Sequence, residues 1–403
     1  MKRLKEIKDW KEMVNTVVCG DCLDGLKKIK DNSIDTIITD PPYGLSFMGK
    51  KWDYDVPKVE IWKEALRVLK PGGTALIFAG SRTQHRMAVN VEDAGFILKD
   101  CIMWLYGSGF PKATDISKQL DKGYKRELGE EKVSPDGIPA TPEAQLWNGW
   151  KSHGLKPAYE PILVAMKPNE GSYANNALKH GVSGLNIDGG RIKTSEDTRR
   201  NAKGGDNGLS GTSTFKIRER KASEMPKQEG RFPSNVILDE EAAEMLDEQS
   251  GELSQCGGEK KTTHDKGMFG IGTPGKIYRE TNRGASRFFY IAKAPKEEKN
   301  RLYGFAEEKA NSGSYQFRTD GSLDGKPTDP KKNHHPTVKP LKLMEYLCTL
   351  TETPTKGIVL DPFMGSWTTA LAAQNMGRDF IGFELSEDYC KIGEKRLAQQ
   401  VMF

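Results

Sequence analysis

Two short Asp-Pro segments hold the residues best suited to chemistry. Thr39-Asp40-Pro41-Pro42-Tyr43 follows an apolar run over 34–38, and Asp361-Pro362-Phe363-Met364-Gly365-Ser366-Trp367-Thr368-Thr369 follows another over 357–360. In the first, two prolines fix two φ angles, remove two donors and bias Asp40 away from the α region. A loop this stiff projects the Asp40 carboxylate and nearby carbonyls at one small target, with the Tyr43 ring as a flat face beside them. Acceptors plus an aromatic face suit an exocyclic amine on a heteroaromatic ring. The ring stacks, and the acceptors orient the amine so that its lone pair can attack an electrophile. A proline-stiffened turn without chemistry is the competing reading.

The second segment combines a strand, a glycine-containing turn and the start of a helix. Close backbone approach at such a turn fits an adenosyl-bearing ligand. Glu384 ends the next strand and is placed to accept hydrogen bonds from a pair of ribose hydroxyls. A dinucleotide fingerprint and a Gly-Lys-Ser/Thr phosphate loop are both missing, which leaves dinucleotide binding and nucleotide hydrolysis unsupported. Cys19-Gly20-Asp21-Cys22 has redox or zinc spacing but no second pair, and His334 and His335 have no acidic or cysteine partner at useful spacing. No metal is therefore expected.

Asp40-Pro41-Pro42-Tyr43 resembles the catalytic motif of the amino-methyltransferases, which modify adenine N6 or cytosine N4 in DNA. The 361–369 segment is similar to the cofactor part of S-adenosyl-L-methionine-dependent DNA methyltransferases. The resemblance implies catalytic roles for Asp40, Pro41, Pro42 and Tyr43. It implies cofactor contacts from Asp361, Phe363, Gly365, Ser366, Trp367, Thr368 and Glu384, and from Asp21 in Gly20-Asp21-Cys22-Leu23. His335, Thr337 and Lys339, in His335-Pro336-Thr337-Val338-Lys339-Pro340, fit the stretch that covers the methionine end. Trp52, Tyr54 and Asp55 fall in the loop where such enzymes grip a displaced base. Asp heads this motif mostly in adenine enzymes and Ser mostly in cytosine enzymes, so Asp40 leans toward adenine. The catalytic motif precedes a variable middle and the cofactor motif comes last, which resembles the circularly permuted beta class.

One departure stands out. The family reads Asp-Pro-Phe-x-Gly-Ser-Gly-Thr-Thr, and Trp367 stands where the second Gly belongs. An inward-pointing indole would take space needed by cofactor or packing, at a cost of roughly 1–3 kcal/mol if nothing adapts. The expected activity is methyl transfer to adenine N6 in duplex DNA, with the base flipped out of the stack. The alternatives are cytosine-N4 transfer, methylation of RNA or protein amines, and a DNA-binding protein whose activity Trp367 has weakened or abolished.

The elements that must position these groups alternate. Strands are expected over 14–19, 33–39, 74–79, 96–104 and 162–166, with helices over 22–29, 61–69 and 83–94 between them; Lys70-Pro71-Gly72-Gly73 reads as a stop after the second helix. From 167 to 284 the texture becomes glycine-rich and charged, with a short apolar run over 232–238 and a helix over 240–248. Basic residues recur there, among them Arg191, Lys193, Arg199, Arg200, Lys216 and Arg218. They form either a solvated surface or one that tracks phosphates. Order returns with a strand at 287–291, a helix at 341–350, strands at 358–360 and 380–384, and helices at 368–375 and 388–400. The fold class is therefore α/β, a doubly wound and mostly parallel sheet with an inserted irregular region. Residues 1–166 form the catalytic half, 167–284 the target-recognition region and 285–403 the cofactor half.

The chain has 403 residues, 36% of them hydrophobic and 29% charged, and a net charge of +5. That balance permits duplex DNA as a partner without demanding it. The sequence contains neither a signal peptide nor a membrane-length apolar run, which points to a cytoplasmic protein. A homodimer is compatible with the sequence, and a restriction partner is not specified by it.

Overall fold

The computed structural model describes residues 2–45, 54–109, 111–128, 139–194, 229–251, 284–292, 316–317, 323–324 and 338–400. In chain order the first elements are β1 (Lys2–Arg3), β2 (Thr16–Cys19), α1 (Cys22–Lys28), β3 (Ile34–Thr39), α2 (Val59–Val68), β4 (Leu69–Phe78), α3 (Gln84–Asp93) and β5 (Ile97–Leu105). They are followed by α4 (Ile116–Leu128), α5 (Pro142–Leu146), β6 (Tyr159–Met166), α6 (Tyr173–His180), β7 (Val236–Asp239), α7 (Glu240–Ser250), β8 (Tyr290–Ala292), β9 (Gln316–Phe317) and β10 (Leu323–Asp324). Last come α8 (Leu341–Leu350), β11 (Ile358–Asp361), α9 (Thr368–Asn375), β12 (Asp379–Glu384) and α10 (Glu387–Gln400).

Ten strands form one sheet in the order β1-β2-β12-β11-β3-β4-β6-β5-β7-β8. Every pairing is parallel except those of β6, which runs antiparallel to both β4 and β5. All six residues of β3 are buried, as a central strand covered on both faces requires. Ile37 packs with Leu26, Trp62 and Ile77, whereas its neighbour Ile38 packs with Leu76, Phe78 and Leu347.

Three local readings change. Lys70-Pro71-Gly72-Gly73 ends α2 at Val68, but the chain continues directly as β4. The register jumps from Ile34↔Leu69 to Thr36↔Thr74, so a bulge absorbs the Pro-Gly pair. Residues 287 and 288, expected to begin a strand, belong to a 3-10 turn over Ala285–Phe288, and the strand that follows, β8, has only three residues. The stretch expected to be irregular also contributes to the sheet. β7 pairs with β5, and α6 docks on β4 through the buried Asn176, whose amide donates to Pro71 O (2.8 Å) and Val182 O (2.6 Å). The signals for α6 are a Ser172 N-cap and Gly181, left-handed at φ +72°, after its last turn.

The beginning and end of the chain are clamped together beneath the sheet centre. Asp35, 4% exposed, accepts from Lys70 Nζ (2.6 Å) and from the backbone N–H of Ile358 (2.8 Å). Removing a buried charge partner typically costs about 3–5 kcal/mol, and less where the other partner keeps some water, as Lys70 does. Asp35→Ala is expected to lower the unfolding free energy by about 2–4 kcal/mol in urea titrations, with the slope unchanged.

Candidate active site

β3 and β11 lie side by side and parallel, with Leu360 opposite Ile37. Asp40 and Asp361 therefore emerge at the same edge of the sheet, where α/β folds bind ligands. The Thr39 hydroxyl donates to Asp361 Oδ1 (2.5 Å), the Thr369 hydroxyl to Oδ2 (2.6 Å) and the Phe363 N–H to Oδ1 (2.9 Å). Burial pushes the Asp361 carboxyl up to about 6, against the opposing pull of those three hydrogen bonds. Asp361 is thus a bracket holding β3, the turn and α9 in register.

Glu384 ends β12, the next strand. Its carboxylate accepts from Gly365 N (2.9 Å) and Ser386 N (2.7 Å), and burial raises it to about 7. The remaining lone pairs suit vicinal hydroxyls. Asp21 caps α1 by accepting from Asp24 N (3.1 Å). Ser366 and Thr368 are held from behind: the buried Arg396 guanidinium of α10 donates to both hydroxyls, at 3.0 and 3.1 Å.

One cavity of about 470 Å³ gathers these groups. Asp21, Asp40, Pro41, Pro42, Tyr43, Lys339, Asp361, Phe363, Gly365, Ser366, Thr368 and Glu384 all line it. Its size lies in the range of small-molecule sites. Apolar walls (Ile61, Phe363, Phe383, Leu385), carboxyls and a glycine turn suit a nucleoside bearing a positive charge.

Asp40 is not isolated. The Tyr43 hydroxyl lies 2.7 Å from Asp40 Oδ1 and 2.9 Å from Glu160 Oε2. Lys339 Nζ lies 2.7 Å from Asp40 Oδ2 and 3.2 Å from Glu160 Oε2. Burial alone would lower the Lys339 ammonium, but the two carboxylates outweigh it and hold it above its usual range. Burial and the same two acids push the Tyr43 hydroxyl well above its usual value. Lys339, expected to meet the cofactor, lines the cavity with its charge engaged by Asp40 and Glu160. The Thr83 hydroxyl fixes the loop by donating to Tyr43 O (2.6 Å). Glu160, Thr83 and Arg396 were missed from sequence. For Glu160 the available signal is an acid opening the apolar strand β6.

The other expected residues separate. Arg191 is held by Asp188 Oδ1 (2.7 Å) and Gly230 O (3.3 Å), so its guanidinium braces a turn. Lys193 and Tyr54 are exposed. Trp52, Arg199, Arg200, Lys216, Arg218, His335 and Thr337 lie outside the described residues.

Residues 34–395 match the sequence profile of the N6/N4 DNA methylases. The chain belongs to that family. It is 23% identical to the Type II methyltransferase M.HindIII of Haemophilus influenzae over 96% of both chains. It is 45% identical to the DNA adenine methyltransferase YhdJ of Escherichia coli over 64 residues, 16% of this chain and 21% of that protein. Among solved structures, the PvuII cytosine-N4-specific DNA methyltransferase is 15% identical over 94% of this chain and 85% of that one, with a TM-score of 0.43. The protein is thus a DNA methyltransferase dependent on S-adenosyl-L-methionine. No helix among its described residues is long and apolar enough to cross a membrane.

Trp367 does not line the methyltransferase cavity. Its backbone is left-handed (φ +69°, ψ +29°) just before α9, which accounts for glycine in the family pattern at this place. The side chain is 3% exposed and packs onto Gly393 of α10, where an added Cβ would fall 2.0 Å from the indole Cγ. A large residue in the turn is thus matched by an absent side chain in the helix opposite, and the indole does not take up cavity space. Gly393→Ala, which helix propensity alone would favour, is expected to destabilise by about 1–3 kcal/mol in thermal or urea unfolding. Adding Trp367→Gly should offset the clash. If Gly393→Ala proves neutral or stabilising, the indole is not seated on Gly393.

Proposed function

We propose that the enzyme methylates adenine N6 in duplex DNA, with the target base flipped into the cavity, and that it belongs to the permuted class. The observation that carries this reading is the convergence of Asp40, Tyr43 and the Glu384–Gly365 turn on one cavity. Asp rather than Ser at the head of the tetrapeptide supports adenine, as does the local likeness to a DNA adenine methyltransferase. Residues 167–284 are proposed as the target-recognition region, read through direct base contacts and a larger set of phosphate contacts.

Bound S-adenosyl-L-methionine supplies a methyl group on a positively charged sulfur. Glu384 holds the ribose hydroxyls and Gly365 allows close approach of the main chain. Asp40 and the Pro41 carbonyl accept hydrogen bonds from the amine and aim its lone pair, and the Tyr43 ring stacks on the base at about 1–3 kcal/mol. The aimed lone pair would accept the methyl group directly from the bound cofactor, with no covalent intermediate on the enzyme. The nitrogen then loses a proton. Alignment carries most of the acceleration, so Asp40 need not be a strong base.

Protein incubated with methyl-labelled cofactor and mixed-sequence duplex should place label in N6-methyladenine after digestion to nucleosides. Trp367→Gly, run alongside, should transfer to the same base. Label in N4-methylcytosine would overturn the choice of base. Label in neither, with folded protein, would overturn the activity.

The Glu384 role makes binding pH-dependent. The buried carboxyl, pushed up to about 7, is protonated below that pH and becomes the better acceptor above it. Affinity for the cofactor should therefore rise between pH 6 and 8, by up to about tenfold, with proton release detectable by calorimetry in buffers of different ionisation heat. Glu384→Gln should bind more weakly at pH 8 and lose that part of the slope. The sign for the ligand-free protein is opposite: a carboxyl raised on folding binds more protons when folded, so its contribution to stability declines as pH rises from about 4.5 to 7.

A further inference from the structure

We propose that Glu160 is a positioning residue for methyl transfer, acting through Lys339 and Tyr43 to keep a net negative charge where the cofactor's positive charge and the acceptor amine meet. The proposal rests on the reading that Asp40 orients the amine.

Three charged side chains from distant segments meet at this point. Asp40 follows β3, Glu160 opens β6, and Lys339 stands two residues before α8. The Lys339 side chain is only 8% exposed and sits 5.4 and 5.1 Å from the ring centres of Tyr43 and Phe78. With Asp40 alone, that ammonium would make a neutral pair. A neutral pair opposes transfer in two ways: it draws on the acceptor that the amine needs, and it sets a positive charge beside a nitrogen that is becoming positive. Glu160 removes both difficulties. It shares the ammonium at 3.2 Å, and two carboxylates on one ammonium leave a single negative charge. Poor solvation at the site strengthens that charge relative to the same groups in water.

Glu160 is not among the cavity-lining residues, so its effect must pass through its two partners. The Tyr43 hydroxyl, within hydrogen-bond reach of both acids, ties their positions together. Tyr106, at the end of β5, senses the same charge: burial first, and Glu160 next, push its hydroxyl up to about 12.

The charge can be read without any DNA. S-adenosylmethionine and S-adenosylhomocysteine share every contact except the methyl group and the positive sulfur, so their affinity ratio in calorimetry at pH 8 reports the local charge. Glu160→Gln is expected to weaken S-adenosylmethionine by about tenfold while leaving S-adenosylhomocysteine within about twofold. Glu160→Asp, which keeps the charge, should retain most of the wild-type ratio. Adding Lys339→Met to Glu160→Gln removes the cation that neutralises Asp40 and should restore the preference; Lys339→Met alone should widen it. In DNA methylation, Glu160→Gln should lower kcat with little change in KM for DNA. An unchanged ratio in Glu160→Gln, or equal weakening of both ligands, would show Glu160 to be a packing residue and overturn the proposal. Should Glu160→Gln fail to fold, a narrowed preference in Lys339→Met would overturn it equally. A wild-type protein that binds the cofactor yet transfers nothing to DNA would sink the adenine reading, and the affinity ratio would still decide the charge.

Discussion

The site depends on a single adjacency: β3 and β11, separated by more than 300 residues in the chain, are neighbours in the sheet. The Asp361 carboxylate holds that adjacency at its functional end, taking one hydroxyl from Thr39 and another from Thr369. Below it, Asp35 does similar work by accepting from Lys70 and from the Ile358 N–H. The Asp361 contacts are buried and those of Asp35 partly so, and losing either carboxylate would leave donors with little access to water. The catalytic loop and the cofactor turn are consequently placed by a rigid sheet and not by loops alone.

Around this frame the groups that matter are locked from behind. Thr83 holds the Tyr43 carbonyl, Arg396 holds Ser366 and Thr368, and backbone N–H groups of Gly365 and Ser386 hold Glu384. Each lock comes from an element that does not itself carry the chemistry. Preorganisation of this kind is what direct transfer requires, since the acceptor amine is reactive once it is aligned. The acidic residues are held differently: Asp361 and Asp21 accept from neighbouring elements while lining the cavity, Glu384 lines it from the end of β12, and Asp40 is paired with Lys339 beside Glu160.

Trp367 illustrates how a departure from a family pattern can be absorbed. The turn keeps the left-handed backbone that glycine adopts freely, and the strain this causes is met by burying a large aromatic surface. Gly393, an otherwise unfavourable residue inside a helix, gains its reason from the same contact. Sequence order alone could not connect positions 367 and 393, because the contact forms only when α10 folds back over the cofactor turn.

Much of the fold was legible because its signals are local. Apolar runs such as 34–38 and 357–360 announce buried strands, and α8 and α9 match their expected spans. The two Asp-Pro motifs were equally legible, since proline and glycine restrict the backbone wherever they stand. What the sequence by itself determined, then, was the set of elements, the chemical types in the two motifs and the family they point to. Only the tertiary structure decided which side chains meet. It turned Lys339 toward Asp40, brought Glu160 into that pair, tied Arg191 to Asp188 and pointed Trp367 away from the cavity. Those outcomes rest on charge pairing and packing between residues far apart in the chain, and no local pattern encodes such distances.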